Sequence, residues 1–243
     1  MCKKFICLAL FFALCTTAMG SGLALYDGSP NPGWYDETQQ HADVDTIIDM
    51  TGHLFDDVQR FGDGDFEAFG EWVDQRTDDG VVDIIWLNGC MPSVLYPFPN
   101  LQPDGSRAEL WLDGGDMIIN VADWFGYMSY EGGVRSADNA ASGAENILDL
   151  PGIMTNVEGT THPVTEAGLQ YLPSLNDPAP TEREVVLGAV VDPWEVAEIF
   201  ARSADGLRAD PVVIRNIDTN GHVAFINQAF TSTSIDDRGL TSA

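Results

Sequence analysis

The chain has 243 residues, of which 38 are acidic and 11 basic, for a formal net charge of −27. A polyanion of this kind repels phosphate backbones, which excludes nucleic acid as a partner. At 44% hydrophobic residues it still has enough apolar matter for one large domain with its own core.

The first twenty residues have the pattern of an export signal. Lys3 and Lys4 precede an apolar run over residues 5–15, and Ala18-Met19-Gly20 supplies small residues for cleavage. The run is shorter than the roughly 20 residues a bilayer requires. The expectation is a secreted or periplasmic protein, with residues 1–20 as the signal, a single domain over 21–243 and no membrane attachment after cleavage. Cys2, Cys7 and Cys15 fall in the signal and leave Cys90 as the one remaining thiol. Packing rather than a disulfide must then supply stability. The acidity is read as surface solvation, because no loop has the D-x-[DN]-x-[DN]-G spacing of a calcium site.

In chain order, residues 23–26 predict a strand, stopped by Asp27-Gly28-Ser29-Pro30. A Gly/Pro loop to His41 leads into a helix over 43–54, and residues 55–61 predict a second strand. Phe66, Phe69, Trp72 and Val73 fall at helical spacing. Residues 81–87, nearly continuous in apolar and β-branched side chains, predict a strand buried on both faces. A helix over 106–112, a buried strand over 116–121 and a helix over 137–150 follow. The last third predicts a short helix over 163–172 and strands over 194–202, 211–217 and 222–230. Asp218-Thr219-Asn220-Gly221 joins the last two as a hairpin. Strands alternating with helices, then a hairpin, imply a mostly parallel sheet with an antiparallel addition.

Three segments together carry a resemblance: Asp83-Ile84-Ile85-Trp86-Leu87-Asn88-Gly89, then Gly115-Asp116-Met117-Ile118-Ile119, then Thr161-His162-Pro163-Val164-Thr165-Glu166-Ala167-Gly168-Leu169. Their order, spread over about residues 23–230, resembles the class I glutamine amidotransferase-like superfamily and within it the trehalose-utilisation (ThuA-like) branch, whose members often carry a His-Pro-Ile-Thr-x-Gly-Leu element. The resemblance implies a flavodoxin-like three-layer α/β sandwich. It also implies a nucleophile elbow, Gly-x-Cys-x-Gly, after the second of these strands. This chain reads Val121-Ala122-Asp123-Trp124-Phe125-Gly126 there, and His222 is followed by Val223 and Ala224 instead of the family's His-x-Glu. The resemblance therefore implies the fold without glutamine hydrolysis.

Ligands of open α/β sheets bind outside the carboxyl ends of the strands. That places Asp27, residues 88–93, residues 123–127 and the segment near His162 together. Asp27, Asn88, Asp123, Trp124 and Tyr127 are the candidate ligand-binding residues, because carboxylates and amides take hydroxyl groups while aromatic faces take the apolar side of a sugar. Asp123 with its aromatic neighbours reads equally as a polar cap over core rings. The candidate catalytic residues are Cys90, Asp123 and His162. A reactive thiol needs a base and a positive setting, and a small buried core residue is the plainer reading of Cys90. His162 reads as part of an exposed turn that starts a helix. Tyr26, Trp34 and Tyr35 read as the rim of a pocket or as a loop packed over the sheet edge. No HExxH, CxxC or His-x-His spacing predicts a metal site, and no Walker loop or GxGxxG a nucleotide cofactor. The leading expectation is a non-catalytic domain binding a small polar ligand such as a sugar. The alternatives are a secreted hydrolase of glycans or esters, using Cys90 or a pair from Asp27, Asp123 and His162, and an interaction module of an envelope assembly.

Overall fold

The computed structural model describes residues 20–100, 102–155 and 160–226. Residues 1–19 of the expected signal and the end of the strand expected over 222–230 therefore lie outside the described residues. Seven strands make the central sheet: β1 (Gly22–Tyr26), β2 (Asp57–Phe61), β3 (Ile84–Asn88), β4 (Met117–Val121), β5 (Trp194–Ile199), β6 (Val212–Asn216) and β7 (His222–Ile226). They lie in the order β2-β1-β3-β4-β7-β6-β5. The neighbours from β2 to β7 are all parallel, and β6 is antiparallel to both β7 and β5. This is the flavodoxin-like order with an antiparallel hairpin added, as the strand and turn pattern predicts.

β1, β3 and β4 are nearly continuous apolar runs because both faces of the sheet are covered. Alternate side chains divide between the faces. Leu23, Leu25, Trp86 and Ile119 pack under α1 (Glu37–Thr51), which contributes Val44 and Ile47. On the other face Tyr26, Ile85, Leu87 and Ile118 meet α2 (Phe66–Arg76), α3 (Arg107–Asp113) and α4 (Ser142–Leu148) through Phe69, Trp72, Trp111 and Ile147. Helices on both faces complete the three layers. A short helix, α5 (Glu166–Tyr171), packs beside β5.

Element boundaries move for local reasons. α1 begins at Glu37, six residues ahead of the apolar periodicity, because the Asp36 side chain accepts from the amide of Gln39 and caps it. β3 begins at Ile84, not at Val81: Val82 is half exposed and Asp83 turns inward. α4 covers only Ser142–Leu148, closed by Asp149 at φ 55°. α3 carries the full capping box between Ser106 and Glu109. In the hairpin, Asn220 takes the left-handed turn at φ 68° and Asn216 Oδ1 accepts from the amides of Asp218 and Thr219.

The N-terminal end of the sheet is closed by charge. Asp83 is fully buried, accepts from the amide of Gly22 and meets Arg76 Nη1 at 3.2 Å. Arg76 also reaches Asp57 at 2.9 Å. Asp116, equally buried, accepts from the amide of Asp83 at 2.9 Å. At the opposite end the chain leaves β1 toward β2 and returns on its other side as β3. This is the topological switch point at which open α/β sheets place their ligands.

Candidate functional site

The strand ends at the switch point bring most of the candidate residues together. Asp27 follows β1 on the α1 side. Arg60 Nε from β2 donates to its Oδ2 at 2.9 Å and His41 Nδ1 of α1 lies 2.6 Å from the same oxygen, which ties α1 to the sheet edge. Asn88 ends β3. Its main-chain oxygen accepts from Gln40 Nε2, which also donates to Gly28 O at 2.9 Å. The Asn88 side chain is only 1% exposed, and its amide has no hydrogen-bond partner for either its nitrogen or its oxygen among the described residues. A buried amide left this way costs of the order of 1–3 kcal/mol, which makes it the least satisfied group at this end of the sheet.

The turn after β4 sets the rest of the site. Ala122 sits at φ 77°, is fully buried, and is held by its amide donating to Ile226 O at 2.9 Å and by its carbonyl accepting from the Trp34 indole. The left-handed region costs an L-residue about 1–2 kcal/mol. The surrounding bonds impose it, and the resulting sharp turn drops Asp123 into the interior instead of out to solvent. Asp123 is 4% exposed. Its Oδ1 accepts from the Trp124 amide at 2.7 Å and its Oδ2 from the Cys90 thiol at 3.3 Å. Asn120 Nδ2 donates to its main-chain oxygen at 2.6 Å. Burial pushes the Asp123 carboxyl above its ordinary range, against the opposing pull of these donors and of the Arg183 charge. The Cys90 thiol is pushed well up by burial and by the Asp123 carboxylate, so it stays protonated and donates.

Trp124 is buried and packs edge-on against Tyr127, with centroids 5.3 Å apart. The Tyr127 hydroxyl accepts from Arg135 Nη2 at 2.8 Å, and Arg135 is paired in turn with Asp138. The sequence reading does not single out Arg183, yet its guanidinium is clamped between Trp34 and Trp124. It lies 4.7 Å and 4.4 Å from their ring centroids.

Two expectations are corrected. His162 is not on an exposed turn. It lies 2% exposed on the strand Thr160–His162, paired antiparallel with Ala179–Thr181. Its Nε2 is 3.3 Å from Glu184 Oε1, which accepts from Thr160 Oγ1 at 2.5 Å, while Glu184 Oε2 meets Arg208 at 3.1 Å. Two threonines in succession favour the extended strand over the turn, and the helix start lies further on, where Thr165 caps α5. Among the described residues no hydrogen bond or ion pair joins His162 to Asp27, Asn88 or Asp123. Tyr26 and Tyr35 do not form a rim either. Both are buried, their hydroxyls donating to Asp63 at 2.9 Å and to Asp43. Of the three aromatics only Trp34 stays half exposed at the strand ends.

An open groove of about 420 Å³ lies elsewhere, beside α5, and is lined by Glu166, Gln170, Tyr171 and Glu198 among others. No group of His, Cys, Asp or Glu among the described residues is arranged to hold a metal ion. Against known proteins, the chain matches no family model, no curated protein and no solved structure.

Proposed function

We propose that this chain is an exported, catalytically degenerate amidotransferase-like domain that binds a sugar or similar small polar ligand at the C-terminal ends of β1, β3 and β4. The observation that carries the reading is the turn after β4. It has the strained strand-to-turn geometry on which α/β enzymes mount a nucleophile, but the residue at the strained position is Ala122. A binding role is supported by what surrounds the turn: the unpartnered amide of Asn88, the buried Asp123 and the indoles of Trp34 and Trp124. Hydrolysis through Cys90 has no such support, since burial and the Asp123 carboxylate keep the thiol protonated. Export rests on the pattern of residues 1–20.

Titration of the purified protein with a panel of neutral monosaccharides, disaccharides and sugar acids tests the reading. Asn88→Ala removes no hydrogen bond that the side chain makes among the described residues, so the variant should keep its fold and lose about tenfold or more in affinity. An unchanged affinity in a folded Asn88→Ala protein contradicts the site assignment.

A further inference from the structure

We infer that the ligand of the strand-end site carries a carboxylate, which Arg183 takes side-on between Trp34 and Trp124; the inference rests on the binding role proposed above. The argument begins with scarcity. The chain has 38 acidic side chains for its 11 basic ones. Arg60, Arg76, Arg107, Arg135, Arg208 and Arg215 each meet a carboxylate within 4 Å. Arg183 meets none among the described residues, although it is half buried at the strand ends. Its Nη1 donates to Glu182 O at 2.9 Å. Its Nε and Nη2 make no hydrogen bond among the described residues. That same edge carries two ion pairs elsewhere in the molecule: Arg60 gives Nε and Nη2 to Asp27, and Arg107 gives Nε and Nη2 to the two oxygens of Asp74 at 2.6 and 2.9 Å. The unused edge of Arg183 thus has the geometry of a carboxylate receptor, held rigid by two indoles.

Asp123 does not fill that role, because its oxygens are taken by the Trp124 amide and the Cys90 thiol. A carboxylate suits the edge better than a phosphate. Both match a guanidinium fork, but a molecule of this net charge repels a dianion more strongly than a monoanion. Asn88, buried and unpartnered at the same strand ends, supplies one donor and one acceptor for the hydroxyl groups of a polyhydroxylated ligand.

The experiment compares D-glucuronate, D-galacturonate and D-gluconate with D-glucuronamide and D-glucose by calorimetric titration of the purified protein. The expected result is that at least one acid binds about tenfold or more tightly than the matched neutral compounds. Arg183→Gln should erase its advantage. Arg183→Lys keeps the charge without the fork and should recover only part of it. Should either variant fail to fold, the glucuronate–glucuronamide comparison on the unaltered protein decides alone. Equal binding of acid and amide, or acid binding that Arg183→Gln leaves intact, overturns the inference while the strand-end reading survives through its dependence on Asn88. Absence of binding by acids and neutral compounds alike overturns both.

Discussion

Asp83 and Asp123 are buried at opposite ends of one sheet, in different company. At the N-terminal end Asp83 meets Arg76 at 3.2 Å and the amide of Gly22, and Asp116 is met by the amide of Asp83. At the C-terminal end Asp123 is met by an amide and a thiol, while the guanidinium of Arg183 is held by indoles and not by the carboxylate. The first arrangement places cation against anion inside the fold. The second has an amide, Asn88, and a guanidinium edge that make no hydrogen bond among the described residues. One end of the sheet is held by an ion pair, and the other has an amide and a guanidinium edge without hydrogen-bond partners among the described residues.

The largest expected effect lies at the closed end. Arg76→Met leaves Asp83 and part of Asp57 without their cation in a site where Arg76 is 7% and Asp83 0% exposed. Breaking a buried pair from one side costs about 3–5 kcal/mol, measurable by urea unfolding. Arg107→Met, which breaks the exposed pair with Asp74, should cost about 1 kcal/mol or less. Similar losses in the two variants would remove the distinction between a closed end and an ordinary surface.

Asp116 gives the next effect. Burial and the neighbouring Asp83 charge raise its carboxyl from 3.8 to about 7. The folded protein therefore keeps a proton that the unfolded chain has released. The stability this group contributes is complete below about pH 4 and lost as pH climbs through about 7. Unfolding free energy should fall with rising pH over that window, and Asp116→Asn should flatten the fall, gaining about 2–4 kcal/mol on the wild type across it. Parallel pH profiles for variant and wild type would contradict the raised carboxyl.

At the open end, Cys90 should resist alkylation. A buried thiol held protonated beside Asp123 should react about a hundredfold or more slowly in the native protein than in denaturant, read by mass mapping of the Cys90 peptide. The smallest effect tests the elbow. Ala24→Gly, in the middle of β1, should cost about 1.5 kcal/mol through a lost methyl and added chain entropy. Ala122→Gly loses the same methyl but relieves about 1–2 kcal/mol of left-handed strain. It should therefore leave stability within about 0.5 kcal/mol of the wild type, by the same accounts.

These contrasts bear on what the amino-acid pattern could reveal. β1, β3 and β4 were legible because burial on both faces forces apolar runs, and the final hairpin because Asn220 readily takes a left-handed turn. Asn88 and Asp123 were legible as strand-end residues for the same reason. The burial of Asp123 was not, because it follows from the strained turn at Ala122, and an alanine in a left-handed conformation leaves no trace in composition or periodicity. Arg183 lay in a stretch without periodic signal, and only the folding of residues 179–186 back toward Trp34 and Trp124 brings it to the site. Its one sequence signal was rarity, an arginine in a chain short of cations. His162 was misplaced because the His-Pro-Val-Thr run resembles a helix start, whereas the pairing of Thr160–His162 with Ala179–Thr181 is non-local.

The most direct test of the central claim is thermal unfolding of the purified protein across neutral sugars and sugar acids. A ligand at 100 times its Kd adds about 2.7 kcal/mol, which for a chain of this size raises the midpoint by about 5–10 °C. The account predicts such a rise for a selective subset of the panel, and its loss in Asn88→Ala. No rise with any compound, or a rise that Asn88→Ala leaves untouched, would contradict a binding site at the C-terminal ends of the strands.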